Sequence, residues 1–135
     1  MSEFITAFKA IQKEVHQTAR EKGWWRQRDA VTEKVCNYEL ENRTGLQDYA
    51  FAVLQTDLAC AGLIITEIAE AMEGIRHGNP PDDKIPDFSS MEAEYADAII
   101  RIMDHAEKRG WRIAEAIEAK MAMNKTRPPM HGKKA

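Results

Sequence analysis

The sequence predicts an all-α protein, an antiparallel four-helix bundle, and three observations lead there. Apolar residues recur at three- and four-residue steps over long stretches, and no segment alternates as a half-buried strand would. The five prolines all fall between or after the periodic stretches. With 135 residues and no internal repeat, the chain reads as a single domain over 1–135, large enough to bury a core without disulfides or structural metals.

Phe4, Phe8, Ile11 and Val15 mark a first helix that runs through Lys22 and stops at Gly23. After Trp24 and Trp25, a shorter helix is carried by Val31, Val35 and Tyr38, and Gly45 breaks it. From Leu46 to His77 the chain has no proline, and Leu54, Leu58, Ala61, Ile65, Ile68, Met72 and Ile75 form one stripe. That spacing predicts a long helix of roughly 45 Å. Gly78-Asn79-Pro80-Pro81 ends it and opens a loop to Phe88. Ser89 followed by Glu92 reads as a capping box for a helix continuing through Ala96, Ile99, Ile102, Met103 and Ala106 to Gly110. A last helix covers Trp111 to Asn124, with Ile113, Ile117 and Met121 at four-residue steps. A flexible basic tail is expected from about 126 to 135.

Hydrophobic residues at 44% and charged residues at 30% match a soluble globular domain and exclude a disordered chain. The apolar run CAGLIIT is bounded by Asp57 and Glu67, too short for a membrane span. The amino-terminal stretch has no signal-like apolar segment, so no membrane and a cytoplasmic location are the expectation. Cys36 and Cys60 lack metal-ligand spacing and read as free thiols. The net charge of −3 is unevenly placed: nine acids against two bases from Thr66 to Asp97, then five Lys or Arg and no acid from Lys120 onward. An acidic middle and a basic end suit a cation and a phosphate together.

Two acidic pairs are the most informative feature. Glu67 with Glu70 and Glu94 with Asp97 are each spaced three apart, which places two carboxylates on one helix face. Like charges so placed cost a helix about 0.2–0.5 kcal/mol per pair. Chance alone would give about three or four such pairs among 22 acids in 135 residues, so position has to add weight. Glu67 falls between Ile64 and Ala71, and Asp97 among Ala93, Ile100 and Met103, so both are expected to face the bundle. Oxygen-only ligands in such a place suit a hard cation, Mg2+. The competing assignment makes these acids surface residues or partners of Arg76, Arg101 and Arg112. A di-iron site is disfavoured because no histidine has a glutamate three residues before it.

Glu67-Ile-Ala-Glu70 and Glu94-Tyr-Ala-Asp97 resemble the paired acidic motifs of the MazG-like all-α nucleoside triphosphate pyrophosphohydrolases. Lys120, Asn124, Arg127 and the His131-Gly132-Lys133 tail resemble that family's closing segment, and the likeness covers Leu54 to Lys134. The resemblance implies the all-α pyrophosphatase type of four-helix bundle and Mg2+-dependent hydrolysis of a (deoxy)nucleoside triphosphate to monophosphate and pyrophosphate. It implies Glu67, Glu70, Glu94 and Asp97 as metal ligands, and Lys120, Asn124 and Arg127 on the phosphates. Glu70 would add a base role, with Lys120 supplying catalytic positive charge. Glu73 lies about 120° round the helix from Glu67 and is read as a second-rank or surface residue. Phosphoribosyl-ATP and deoxyuridine-type pyrophosphohydrolases would share these features. Residues 23–45 lie upstream of the part the resemblance covers, in a region that is variable in that family.

Trp24, Trp25, Trp111 and Tyr38 are candidates for stacking on a base, with core or interface packing as the plainer role. Trp24 and Trp25 are adjacent, so one can pack while the other faces a pocket. His16, His77, His105 and His131 are scattered and read as ordinary histidines. The apolar stripe exceeds what a small monomer needs, and the resemblance agrees, so a homodimer or dimer of dimers is expected. A non-catalytic helical interaction protein is the alternative class. Nucleic-acid binding through the tail is disfavoured, since the acidic middle would repel a phosphate backbone.

Overall fold

The computed structural model describes residues 1–128. His131, Lys133 and the rest of the tail from 129 lie outside the described residues. The all-α expectation holds, and the described residues form five helices, one for each helical segment marked in the sequence: α1 (Glu3–Glu21), α2 (Arg26–Asn42), α3 (Gln47–Arg76), α4 (Ser90–Arg109) and α5 (Ile113–Lys125). The segment read as a short helix is the full-length α2, which begins directly after the tryptophan pair.

The boundaries of α1, α3 and α4 have chemical causes. Ser2 caps α1 by accepting the Ile5 N–H, and Ser89 with Glu92 forms the complete capping box of α4. Gly110 ends α4 in the left-handed conformation that glycine adopts without strain. Helix α3 has no capping side chain of its own at Leu46. Glu39, buried at the end of α2, caps it from outside, its carboxylate accepting the N–H groups of Asp48 at 2.7 Å and Tyr49 at 2.8 Å. An acid at the positive end of a helix is stabilising, so α2 and α3 are joined by electrostatics as well as by packing.

Helices α3 and α4 form the most extensive pair; α1 lies on α4, α2 on α3, and α5 on α1. The turn between α3 and α4 is tightly stitched. Asn79 takes a left-handed conformation, donates to Gly74 O at 2.7 Å, and accepts the Met91 N–H at 2.9 Å through its side chain. Asp82 accepts from the backbone of Lys84 and Ile85, each at 2.9 Å, and Ser90 donates to Pro80 O at 2.7 Å. At Gly74 the two helices touch so closely that a Cβ would lie 2.6 Å from Ser90 Oγ.

The core is made of small residues. Six of its ten buried apolar residues are alanines, and Trp25, Ala19 and Cys60 form a cluster where α1, α2 and α3 meet. Stripes predicted to be interior are instead bare. On α3, Leu54, Leu58, Ala61, Ile65, Ile68, Met72 and Ile75 are exposed, while the buried face holds Cys60, Glu67, Ala71 and Gly74. Likewise on α1, Phe4 and Ile11 are exposed while Ile5, Gln12 and Ala19 are buried. No uninterrupted apolar run reaches span length, yet one 18-residue window of α3 has a mean hydropathy of 1.5 and is only 11% buried.

Candidate metal centre

The α3–α4 contact brings three of the four paired acids together. Glu67 and Glu70 project from one turn of α3, and Glu94 comes from the second turn of α4. One carboxylate oxygen from each lies within 4.8 Å of the others. Glu67 is buried, Glu94 half-buried and Glu70 exposed, so the group opens to solvent on one side. Asp97 is exposed and stands outside this set, contrary to the expectation that it faces the bundle. It still acts on Glu94 through its charge.

Burial pushes the Glu94 carboxyl above its ordinary range. A hydrogen bond with Glu67 and the charges of Glu70, Glu67 and Asp97 push it further. The Glu94 carboxyl is thus the member of the group whose charge the surrounding acids most disfavour. All the donors are carboxylate oxygens, the chemistry that fits Mg2+ and disfavours softer metals.

Arg101 enters the same group, its Nε donating to Glu67 Oε1. It follows Glu94 by seven residues, two turns along one face of α4, which is the sequence signal for its presence here. Glu73 is exposed and paired with Arg76 at 3.1 Å, and Arg112 lies 3.5 Å from Glu115.

Arg101 also lines a cavity of about 410 Å³ together with Trp24, Arg28, Cys60, Leu63, Asp104 and His105. The cavity therefore adjoins the carboxylates through one side chain. Trp25 is buried and donates from Nε1 to Asp104 at 2.8 Å, while Trp24 is exposed at the cavity. The adjacent tryptophans divide the two roles as the sequence allowed. His16 Nδ1 lies 2.6 Å from Asp104, and buried His105 Nε2 lies 2.8 Å from Asp57, which also accepts from Arg109 at 2.7 Å. Burial raises the Asp57 carboxyl, but hydrogen bonds from His105 and Arg109 with the Arg109 charge outweigh it, and the group is held below the aspartate range. Cys60, a free thiol, is pushed up by burial.

These histidine–carboxylate pairs were not legible in sequence, because partners 48 and 88 positions apart carry no local signal. The basic residues of α5 are not brought to the acids. Lys9 bonds Glu115 and Ser2 bonds Glu118, which directs α5 past the amino-terminal end of α1. The acids sit at the far end of α4. At about 1.5 Å per residue this separates Lys120, Asn124 and Arg127 from Glu94 by on the order of 30 Å along the helix axes. No protein-family model, curated protein or solved structure matches the chain.

Proposed function

We propose that this chain hydrolyses a nucleoside or deoxynucleoside triphosphate to the monophosphate and pyrophosphate in a Mg2+-dependent reaction, as a MazG-like all-α pyrophosphohydrolase. In this reading α3, α4 and α5 carry the segments that resemble that family. The observation that carries the proposal is the meeting of Glu67, Glu70 and Glu94 beside a cavity holding two arginines and an exposed indole. Glu67, Glu70 and Glu94 would hold the cation, with Asp97 adding negative charge from the next turn. When bound, Mg2+ supplies charge neutralisation on phosphate oxygens and a lowered pKa for water.

The side chains contribute the rest. Trp24 offers a face for a nucleobase. Arg28 and Arg101 are cations near enough to the cavity to take phosphate oxygens, and Arg101 becomes available once a cation relieves Glu67 of its partner. Glu70, the exposed member of the group, would accept a proton from an attacking water. Lys120, Asn124 and Arg127 contact a phosphate at this site only if α5 shifts or a second chain presents them.

Product analysis with each common ribo- and deoxyribonucleoside triphosphate, in Mg2+ and in chelator, tests the proposal. Mg2+-dependent release of pyrophosphate and monophosphate is expected, and it should be abolished in Glu70→Gln with helicity near native. Phosphoribosyl-ATP and deoxyuridine triphosphate belong in the same panel. If no substrate is cut, the catalytic reading falls.

A second reading, a non-catalytic interaction protein, is favoured by the Arg101–Glu67 pair, which compensates the buried charge without a metal. Failure of Mg2+ to raise the thermal midpoint would select it.

A further inference from the structure

A second, more enclosed cavity of about 100 Å³ lies among α2, α3 and α4, and its wall carries more hydrogen-bond donors than acceptors. Arg28 and Asp29 reach it from α2, Tyr49 from α3, and Lys108 and Arg109 from α4, all of them half-buried. Trp25 belongs to the same wall and fixes two of the cations: the Arg28 guanidinium lies 5.4 Å and the Lys108 ammonium 5.1 Å from its ring centre. The cations are incompletely used. Among the described residues no carboxylate pairs with Arg28, whose one acceptor is Trp24 O at 3.5 Å. Within the same residues Arg109 commits only Nε, to Asp57 at 2.7 Å, and Lys108 spends one N–H on Asp29 at 2.6 Å. The Tyr49 hydroxyl bonds no acceptor among the described residues. Asp29 is the one acid among the described residues of the wall, and the two wall threonines spend their O–H groups on their own helix.

We infer that this cavity binds inorganic phosphate, held by Arg28, Lys108 and Arg109 with the Tyr49 hydroxyl. Four observations select that ligand. A half-buried surplus of donors is compensated by a group that mainly accepts hydrogen bonds. Two guanidinium forks and an ammonium match a tetrahedral oxyanion, whose oxygens point several ways, better than a planar carboxylate, which fills one fork. The volume is the share of about three water molecules, enough for a free phosphate and too little for a nucleotide. Asp29, with one oxygen taken by Lys108, has the other to accept the O–H of monohydrogen phosphate, which sulfate lacks, so the acid that repels other anions admits this one. The site is separate from the acidic group, since Thr56 on its wall lies roughly 16 Å along α3 from Glu67. Arg28 also lines the larger cavity, so the two cavities share a cation. This inference does not rest on the catalytic reading.

The test is isothermal titration of inorganic phosphate into the full chain, in chelator and at an ionic strength held constant with chloride. The parent should bind one phosphate per chain in the millimolar range or tighter, and sulfate about tenfold or more weakly. Arg28→Gln and Arg109→Gln should each weaken phosphate by about tenfold or more. Tyr49→Phe, which keeps the ring and removes one donor, should weaken it about threefold, and it keeps the test sound if an arginine variant does not fold. Glu94→Gln should bind as the parent does, because the acidic group takes no part. No heat beyond the chloride control, equal affinity for sulfate, phosphate affinity unchanged in Tyr49→Phe and both arginine variants, or a loss in Glu94→Gln as large as theirs would each overturn the inference.

Discussion

Arg101 of α4 holds Glu67 of α3 through its Nε–H, and this single ion pair closes the acidic group that Glu70 and Glu94 would otherwise leave as three converging carboxylates. The guanidinium and a divalent cation are alternative answers to the same buried charge. Whichever is present, Glu67 is not left alone.

Removing the arginine should expose that competition. Arg101→Gln is expected to lose about 1–3 kcal/mol in chelator, several degrees in thermal midpoint, because Glu67 then faces Glu94 uncompensated. Mg2+ should restore more of the midpoint in the variant than it adds to the parent. Thermal melts with and without Mg2+ decide this, and equal responses would show that Arg101 and the cation do not share a site.

The metal response should itself depend on the converging acids. Glu94→Gln and Glu70→Gln are each expected to abolish the rise in midpoint on titrating Mg2+ into the parent protein. Isothermal titration with the metal alone gives an independent reading. Unchanged affinity in both amide variants would place the cation elsewhere.

Trp24 offers its exposed indole to the cavity, and stacking of this kind contributes about 1–3 kcal/mol per base. Replacing Trp24 by Leu should raise KM for the preferred triphosphate about tenfold while kcat stays within a few-fold, because the indole lies on the cavity wall and not among the acids. Steady-state kinetics check this. A fall in kcat at constant KM would assign Trp24 to positioning rather than binding.

Asp57 makes acid stability a readout of the His105 clasp. Its folded-state pKa is depressed, so it contributes stability above its unfolded pKa and loses it as pH falls through the folded value. The parent should therefore weaken progressively below about pH 4 through this group, and Asp57→Asn should be less stable near neutrality with that part of the acid dependence removed. Urea midpoints across the acid range measure the difference. Parallel pH profiles would show that His105 and Arg109 do not tune Asp57.

Close approach at Gly74 sets a steric prediction. Gly74→Ala should gain helix propensity yet lose about 1–2 kcal/mol overall, since its Cβ would meet Ser90 Oγ at 2.6 Å and Ser90 Cβ at 3.1 Å. Adding Ser90→Gly should return part of the loss. Denaturant melts of the single and double variants test the coupling.

Helix class, the α4 capping box and the acidic spacing are readable because each is a local pattern. Ser89 and Glu92 are three residues apart, and Glu67 and Glu70 share a turn. Which side of α3 faces inward is not readable in the same way. Its longest apolar stripe suggests a core face, but the face that touches α4 holds Cys60, Glu67, Ala71 and Gly74, because small residues allow the backbones to approach. Periodicity marks an apolar face without saying which neighbour covers it. Asp97, placed by spacing alone among interior residues, is exposed for the same reason. Residues such as Asp57, Asp104 and His105 become a site only through long-range partners. The separation of Lys120 and Asn124 from the acids follows from the direction α5 takes along α1, which two side-chain contacts decide.

The stitched turn after α3 governs how this acidic group could be tuned. Asn79, Asp82 and the Pro80–Ser90 bond lock the phase of α4 relative to α3, so the gap between Glu94 and Glu67 is a phase relation maintained from outside the group. One residue inserted between Ser90 and Glu94 would swing Glu94 by about 100° and carry it off the α3 side altogether. The bite offered to an ion is in that sense written into a proline-rich turn that touches no ion, and small changes there are the economical way to widen or narrow it.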